Sequence, residues 1–283
     1  MTAIVFDKVW KEYGDHVVLE RINLEIAPRS FVALVGPSGC GKTTFLRMLL
    51  GEEAATRGTI LVDGKPLKVE PDADRGVVFQ RYSVFPHLTV LQNVMIGREF
   101  ETSRFLGKLF GAKRKQAEDE ARTLLDAVGL NDHENKYPAA LSGGMQQRLA
   151  LAQALNRKPK ILLLDEPFGA LDPGIRADIH VLIRKIWNEN DLTVVMVTHD
   201  LSEAFRLGTR VIAFERPRNR PEELERYGAT LGSEAPGEIA RPSGPQPGAS
   251  ITRDFEVWPK KIAAPVGGAA SVPDTPSVAK AAE

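Results

Sequence analysis

Apolar positions alternate with polar ones at the start of the chain. AIVFDKVW begins apolar and then alternates, and FVALVG is a short buried run closed by glycine, so residues 1 to about 35 read as strands. TILVDGK reads as a further strand with an Asp-Gly turn signal, and RGVVFQ, Arg75 to Gln80, as a short strand that stops at a polar residue. From about Leu91 to Lys158 the period changes. VLQNVMIGREF, KRKQAEDEARTLLDAVGL and GMQQRLALAQALNRKP carry apolar residues at three- and four-residue spacing, which predicts helices. Strand and helix then alternate again. ILLLDEP is an apolar strand ending in two carboxylates. DPGIRADIHVLIRKIWNEN is an amphipathic helix opened by Asp172 and Pro173, and LTVVMVTHD and RVIAFE are buried strands. Apolar strands separated by helices predict a mostly parallel sheet covered on both faces. No internal repeat is visible.

The pattern fades after Arg216. Ten of the 19 prolines lie beyond it, among many Gly, Ala and Ser, and such a composition builds no core. Residues 217–283 therefore read as a largely disordered tail, with ITRDFEVWP as a short segment able to dock. Lys and Arg together equal Asp and Glu at 37 each, so nothing in the balance calls for nucleic acid. The basic run GKLFGAKRKQ reads as a solvated helix start or loop. The single cysteine, Cys40, excludes an internal disulfide framework and fits a reducing compartment. No apolar run approaches the roughly 18 residues of a membrane span, and the N-terminus lacks a signal-peptide core. These features predict a cytosolic chain that reaches a membrane only through a partner.

Three stretches carry chemistry. Gly36, Pro37, Ser38, Gly39, Cys40, Gly41, Lys42, Thr43 and Thr44 spell GPSGCGKTT, the phosphate-loop pattern, with an apolar strand before it and a helical run after. Such a loop aims backbone N–H groups at phosphate oxygens from a helix N-terminus. Lys42 is expected to reach the β- and γ-phosphates, and Thr43 to place its hydroxyl on Mg²⁺. Asp165 and Glu166 close a buried strand, at the sheet edge where ligands of parallel sheets bind. Two acids there read as a solvated turn by themselves. Beside a phosphate loop, Asp165 suits Mg²⁺ and Glu166 suits polarising a water for attack on the γ-phosphate. The third stretch is LSGGMQQR. Gly143 and Gly144 are poor helix residues that bare the backbone at a helix start, and Ser142 reads as its N-cap.

Taken together these motifs resemble the ATPase subunit of ABC transporters over about residues 1 to 215. Five stand in the expected order: the phosphate loop, Gln80 after VVF, the LSGG signature, the LLLDEP strand, and His199 in VTHD. The resemblance implies a P-loop NTPase core of RecA-like α/β type, with an antiparallel β subdomain and an inserted helical subdomain at about 81–160. The whole ATPase domain then spans 1–216. It also implies a head-to-tail dimer holding two ATP molecules, each between one chain's phosphate loop and the other chain's signature. Ser142, Gly143 and Gly144 then face the γ-phosphate bound by the partner. By the same resemblance Tyr13, in KEYG, is expected to stack on adenine. Gln80 is expected to sense Mg²⁺ or the attacking water, Asp172 to lie at the dimer contact, and His199 to touch the γ-phosphate and hold the Glu166 region. His16, His87, His133 and His180 match no such motif and read as surface or packing residues. The signature departs from its commonest form at Met145, where relatives often carry Gln and where Met cannot donate a hydrogen bond. The SGGM-x-QR form also occurs among importer ATPases, so it does not imply lost function.

FPHLTVLQNV, DEPFGALDP and SGGMQQRLALAQAL resemble bacterial importers, most closely the nitrate, sulfonate and taurine class. That implies ATP and Mg²⁺ as cofactors and a second ATPase subunit, by expectation the same chain. It also implies membrane permease subunits and, through them, a solute-binding protein. The place implied is the cytoplasmic face of the plasma membrane, as a peripheral subunit. Tyr82, Phe85, Pro86 and Leu88 are candidates for the permease contact, although helical packing explains each of them equally. The alternative is an ABC ATPase acting on nucleic acid or ribosomes. Such chains usually fuse two ATPase units or insert a coiled coil, and neither is seen here. A small-molecule kinase is disfavoured by LSGG and VTHD, and the Pro-rich tail offers too little strand signal for a regulatory β-domain.

Overall fold

The computed structural model describes residues 3–80, 84–102, 109–169, 171–215 and 228–237. In chain order the elements are β1 (Ile4–Tyr13), β2 (His16–Ile26), β3 (Phe31–Val35), α1 (Lys42–Leu50), β4 (Arg57–Val62), β5 (Lys65–Pro66), β6 (Arg75–Val78), α2 (Val90–Thr102), α3 (Gly111–Ala127), α4 (Gly143–Leu155), β7 (Ile161–Asp165), α5 (Pro173–Glu189), β8 (Thr193–Thr198), α6 (Leu201–Leu207), β9 (Arg210–Glu215) and β10 (Thr230–Pro236).

Two sheets form. One is antiparallel, in the order β2-β1-β4-β5, and the other runs β10-β9-β3-β8-β7-β6. Within the second, β6, β7, β8, β3 and β9 are parallel, and β10 is added antiparallel to β9. The expected Asp-Gly turn joins β4 to β5, with Asp63 at φ 52° and Gly64 at φ 73°, the left-handed pair that a tight hairpin needs.

Side chains of the parallel strands alternate between two apolar clusters. Phe31, Ala33 and Val35 join the cluster built with α2 to α6, while Val32 and Leu34 join the one built with α1 and the antiparallel sheet. Strand β7 does the same, with Leu162 and Leu164 on one side and Ile161 and Leu163 on the other. A sheet buried on both faces accounts for the continuous apolar runs in the sequence. Helices α2, α3 and α4 pack on one another, and α4 also meets α5 and β6.

Strand β10 is a difference from the sequence reading. It lies within 217–283, the stretch read as a tail, and Leu231 pairs with Phe214 while Ala235 pairs with Val211. Its sequence, TLGSEAP, has almost no apolar alternation. The strand is drawn out by the open edge of β9 and not by its own propensity. The expected boundary at 216 leaves it out. The segment ITRDFEVWP and the rest of 238–283 lie outside the described residues, as does Tyr82.

Among the other residues named in the docking segment, Phe85 and Pro86 are exposed and Leu88 is half-buried. The loop is shaped by Asn93, fully buried on α2. Its side-chain oxygen accepts from the Phe85 amide at 2.7 Å, and its NH₂ donates to the carbonyls of Phe85, Leu88 and Thr89 at 3.0 Å each. His180 is a packing residue. Its ring stands edge-on to Phe168, with centroids 4.4 Å apart, and burial together with the nearby Arg206 and Arg176 charges holds its pKa down to about 4. His16 and His87 are exposed.

Candidate functional site

The loop Gly36–Gly41 leaves β3 and enters α1 at Lys42. Gly39 and Gly41 hold φ of 77° and 90°, conformations that a residue with a Cβ adopts only under strain. Gly36 is required for a different reason: a Cβ there would lie 2.9 Å from the Phe214 carbonyl oxygen and 3.0 Å from Cys40 Sγ. The first turn of α1 has no side-chain cap and no acidic residue, so its N–H groups are not answered by side chains. Lys42 is buried, and its Nζ donates to the carbonyls of Gly36 and Pro37 at 2.8 and 2.9 Å. Cys40 is buried beside it, with Sγ 3.9 Å from Nζ. The arrangement is an anion cradle of amides with one cation folded over it.

Thr43, one residue into the helix, has its hydroxyl beside the carboxylate of Asp165 at the end of β7. Burial raises the Asp165 pKa and the neighbouring Glu166 charge raises it further, against the Thr43 hydroxyl and the Lys42 charge. A carboxylate and a hydroxyl side by side are the oxygen ligands that a hard cation takes. Among the described residues no three His, Cys, Asp or Glu side chains gather to hold a metal. Mg²⁺ takes one or two protein oxygens and the rest from phosphate and water. Thr43 and Asp165 would hold it.

Glu166 has φ 45°, unusual for a residue with a side chain, and its amide donates to the Val197 carbonyl at 2.9 Å. Its Oε2 accepts from Gln80 Nε2 at 3.1 Å and lies 3.5 Å from His199 Nδ1. The sheet order explains the meeting, because β7 lies between β6, which ends before Gln80, and β8, which ends before His199. Asp200 fixes the turn after β8. It caps α6 by accepting from the amides of Ser202 and Glu203 at 2.8 and 3.3 Å.

The signature forms a second group. Ser142 is the N-cap of α4, and its Oγ accepts from the Met145 amide at 3.4 Å. The two glycines differ. Gly143 is exposed, with Leu171 its nearest neighbour at 3.9 Å from an added Cβ. Gly144 is buried, and a Cβ there would lie 2.3 Å from Ile175 Cγ2 on α5. Gly144 is thus required by packing within this chain, and Gly143 is the position left open at the helix start. Met145 packs its side chain against the larger core cluster, so the residue at the point of departure from the common signature fills space. Asp172 begins α5 in extended conformation without a side-chain capping bond, and its side chain is exposed on the segment that borders the two glycines.

Arg176 belongs to none of the motifs in the sequence, yet it joins two parts of the site. One of its terminal nitrogens, Nη1, is 3.5 Å from Asp200 and 3.3 Å from Glu203, and the other donates to the Leu171 carbonyl at 3.3 Å. It ties the segment after Asp172 to the turn that carries His199. Glu203 in turn accepts from the Thr198 hydroxyl at 2.9 Å. Asp200 and Glu203 are spaced as a capping box, a signal that was legible in the sequence.

A family model described as ABC transporter matches residues 19–169. The chain is 40% identical over 237 residues to a probable amino-acid ABC transporter ATP-binding protein of Sinorhizobium fredii, covering 78% of this chain and 89% of that protein. It is 43% identical over 217 residues to the aliphatic sulfonates import ATP-binding protein SsuB of Yersinia pestis, covering 77% of this chain and 74% of that one. Among solved structures, a dimeric ATP-binding cassette in a post-hydrolysis state with ADP and phosphate is similar with a TM-score of 0.67 at 30% identity. The likeness covers 82% of this chain and 98% of that one.

Proposed function

The chain belongs to the ABC transporter ATP-binding family, whose cassettes hydrolyse ATP in transport, and from that premise we propose that it powers solute import through a membrane permease. ATP binding closes a dimer of two such chains, and hydrolysis with product release reopens it. The observation that carries this reading is the convergence of Gln80 and His199 on one Glu166 oxygen, next to the Thr43–Asp165 pair and the amide cradle.

In this reading the cradle and Lys42 bind the phosphates, and Tyr13 stacks on the base. Glu166 takes the proton of the attacking water, with Gln80 and His199 holding its carboxylate in place. Thr43 and Asp165 would hold Mg²⁺, which would neutralise phosphate charge there. Ser142, Gly143 and Gly144, with Asp172 beside them, complete the partner chain's site. The ATPase domain runs through at least β10, with the helical subdomain at about 81–160.

The relatives at similar identity are named for different solutes, aliphatic sulfonates in one case and amino acids in another. Likeness in this chain therefore follows the shared ATP chemistry, and solute choice belongs to its partners. Phe85 and Pro86 are the proposed permease contact, on the cytoplasmic side of the membrane. Co-expression with the permease and purification in detergent tests the assignment. The chain is expected in the membrane complex, with ATP hydrolysis stimulated by the solute-loaded binding protein. A chain that leaves the permease and sediments with ribosomes contradicts it.

A further inference from the structure

Tyr13 ends β1 at a hairpin of Gly14 and Asp15, and its ring is half exposed. An aromatic ring at such a place ordinarily keeps its rotamer freedom. This one does not, because its hydroxyl donates to Oε2 of Glu53, in the loop just after α1. The same Glu53 oxygen pairs with Lys11 Nζ at 3.0 Å, and its other oxygen lies 3.6 Å from Arg47 of α1. Lys11 Nζ also donates to the Ala54 carbonyl at 3.0 Å and stands 4.8 Å from the centre of the Tyr13 ring. Thr44, in the first turn of α1, has its hydroxyl beside the phenol as well.

The mount is fixed to the rest of the chain. The Glu52 amide donates to the Arg47 carbonyl at 2.9 Å, and the Thr56 amide donates to Trp10 at 2.8 Å. Arg57 pairs with Glu12 while lying 4.4 Å from the Trp10 ring centre. Burial raises the Tyr13 pKa and the bond to Glu53 raises it further, so the phenol stays a donor. For Glu53, burial pulls the pKa up, but the bonds from Tyr13 and Lys11 outweigh it and leave it lowered, so the carboxylate stays an ionised acceptor.

We infer that Glu53 is a positioning residue for the nucleotide base: it locks the Tyr13 ring in one orientation relative to the phosphate loop. Affinity for ATP then includes a base-dependent part set from outside the nucleotide-contacting residues. Isolated surface ion pairs contribute little to stability, but a carboxylate held by Lys11 and faced by Arg47 while it accepts from the Tyr13 hydroxyl removes the freedom of a ring that a ligand must otherwise immobilise. The inference rests on the reading of Tyr13 as the adenine platform.

Steady-state hydrolysis of ATP, with inorganic tripolyphosphate as a base-free inhibitor, separates the roles. Glu53→Ala is expected to raise KM for ATP about two- to tenfold, the effect of freeing one side chain, with kcat little changed. The inhibition constant of tripolyphosphate is expected to stay the same. Tyr13→Phe keeps the ring and loses the hydroxyl, so it should match Glu53→Ala, and the double variant should be no worse than either. Glu53→Gln keeps an acceptor oxygen and should recover part of the affinity. Equal weakening of tripolyphosphate and ATP by Glu53→Ala overturns the inference, since the phosphate loop itself is then disturbed. If Tyr13→Ala weakens ATP but Glu53→Ala does not, the inference alone fails. If Tyr13→Ala has no effect on ATP, the platform reading fails with it.

Discussion

Glu166→Gln is expected to bind ATP as the native chain does and to lose about 10²–10⁴-fold in hydrolysis, the range for removing a positioned general base. The substitution conserves shape. Gln80 Nε2, now 3.1 Å from Glu166 Oε2, still finds an acceptor in an amide oxygen. The change therefore removes the proton acceptor and leaves the cradle of Gly36–Gly41 intact. With ATP bound and not consumed, the dimer should accumulate and be visible by size-exclusion chromatography in excess MgATP. A variant that hydrolyses at the native rate removes Glu166 from the chemistry. One that stays monomeric at saturating ATP counts against the sandwich.

Ser142→Arg has the second large expected effect, and it reports on a different part of the molecule. Ser142 is exposed and its capping bond is long, at 3.4 Å, so losing it costs only about 1 kcal/mol and the fold tolerates the larger side chain. Hydrolysis should nevertheless fall by at least about 10²-fold, as when a donor to a developing phosphate charge is removed. ATP binding to the monomer, measured by isothermal titration calorimetry, should remain close to native. If monomer binding is lost instead, the LSGG turn serves the nucleotide of its own chain.

Much of this was legible in the chain itself. The apolar runs around GPSGCGKTT and LLLDE located β3 and β7, and alternation of buried runs with helical stretches gave the parallel sheet. The residues at strand ends were found because parallel strands deliver their C-terminal ends to one edge. What escaped was set by contacts distant in sequence. Nothing near Glu53 announces Tyr13, which lies on another element, and Arg176 meets Asp200 and Glu203 only because α5 and α6 are folded together. The glycines of the signature read alike as bare backbone, yet one of them is held by Ile175 packing, a steric fact with no local signal. β10 escaped because an edge strand needs only a partner's open backbone, and TLGSEAP shows no period of its own.

If each nucleotide is served by two chains, mixing two inactive variants restores hydrolysis. Lys42→Met removes the ammonium that now bonds the Gly36 and Pro37 carbonyls, and so disables a chain's phosphate loop while its signature stays whole. Ser142→Arg does the reverse. In a mixed dimer of the two, one site joins an intact phosphate loop to an intact signature, and the other joins the two damaged halves. Random assortment of two such chains puts about a quarter of all sites in the intact arrangement, as follows from a two-fold dimer. Hydrolysis that returns on mixing, from two preparations each inactive when pure, is the predicted result. A mixture as inactive as its components, with mixed dimers demonstrated, would contradict the account.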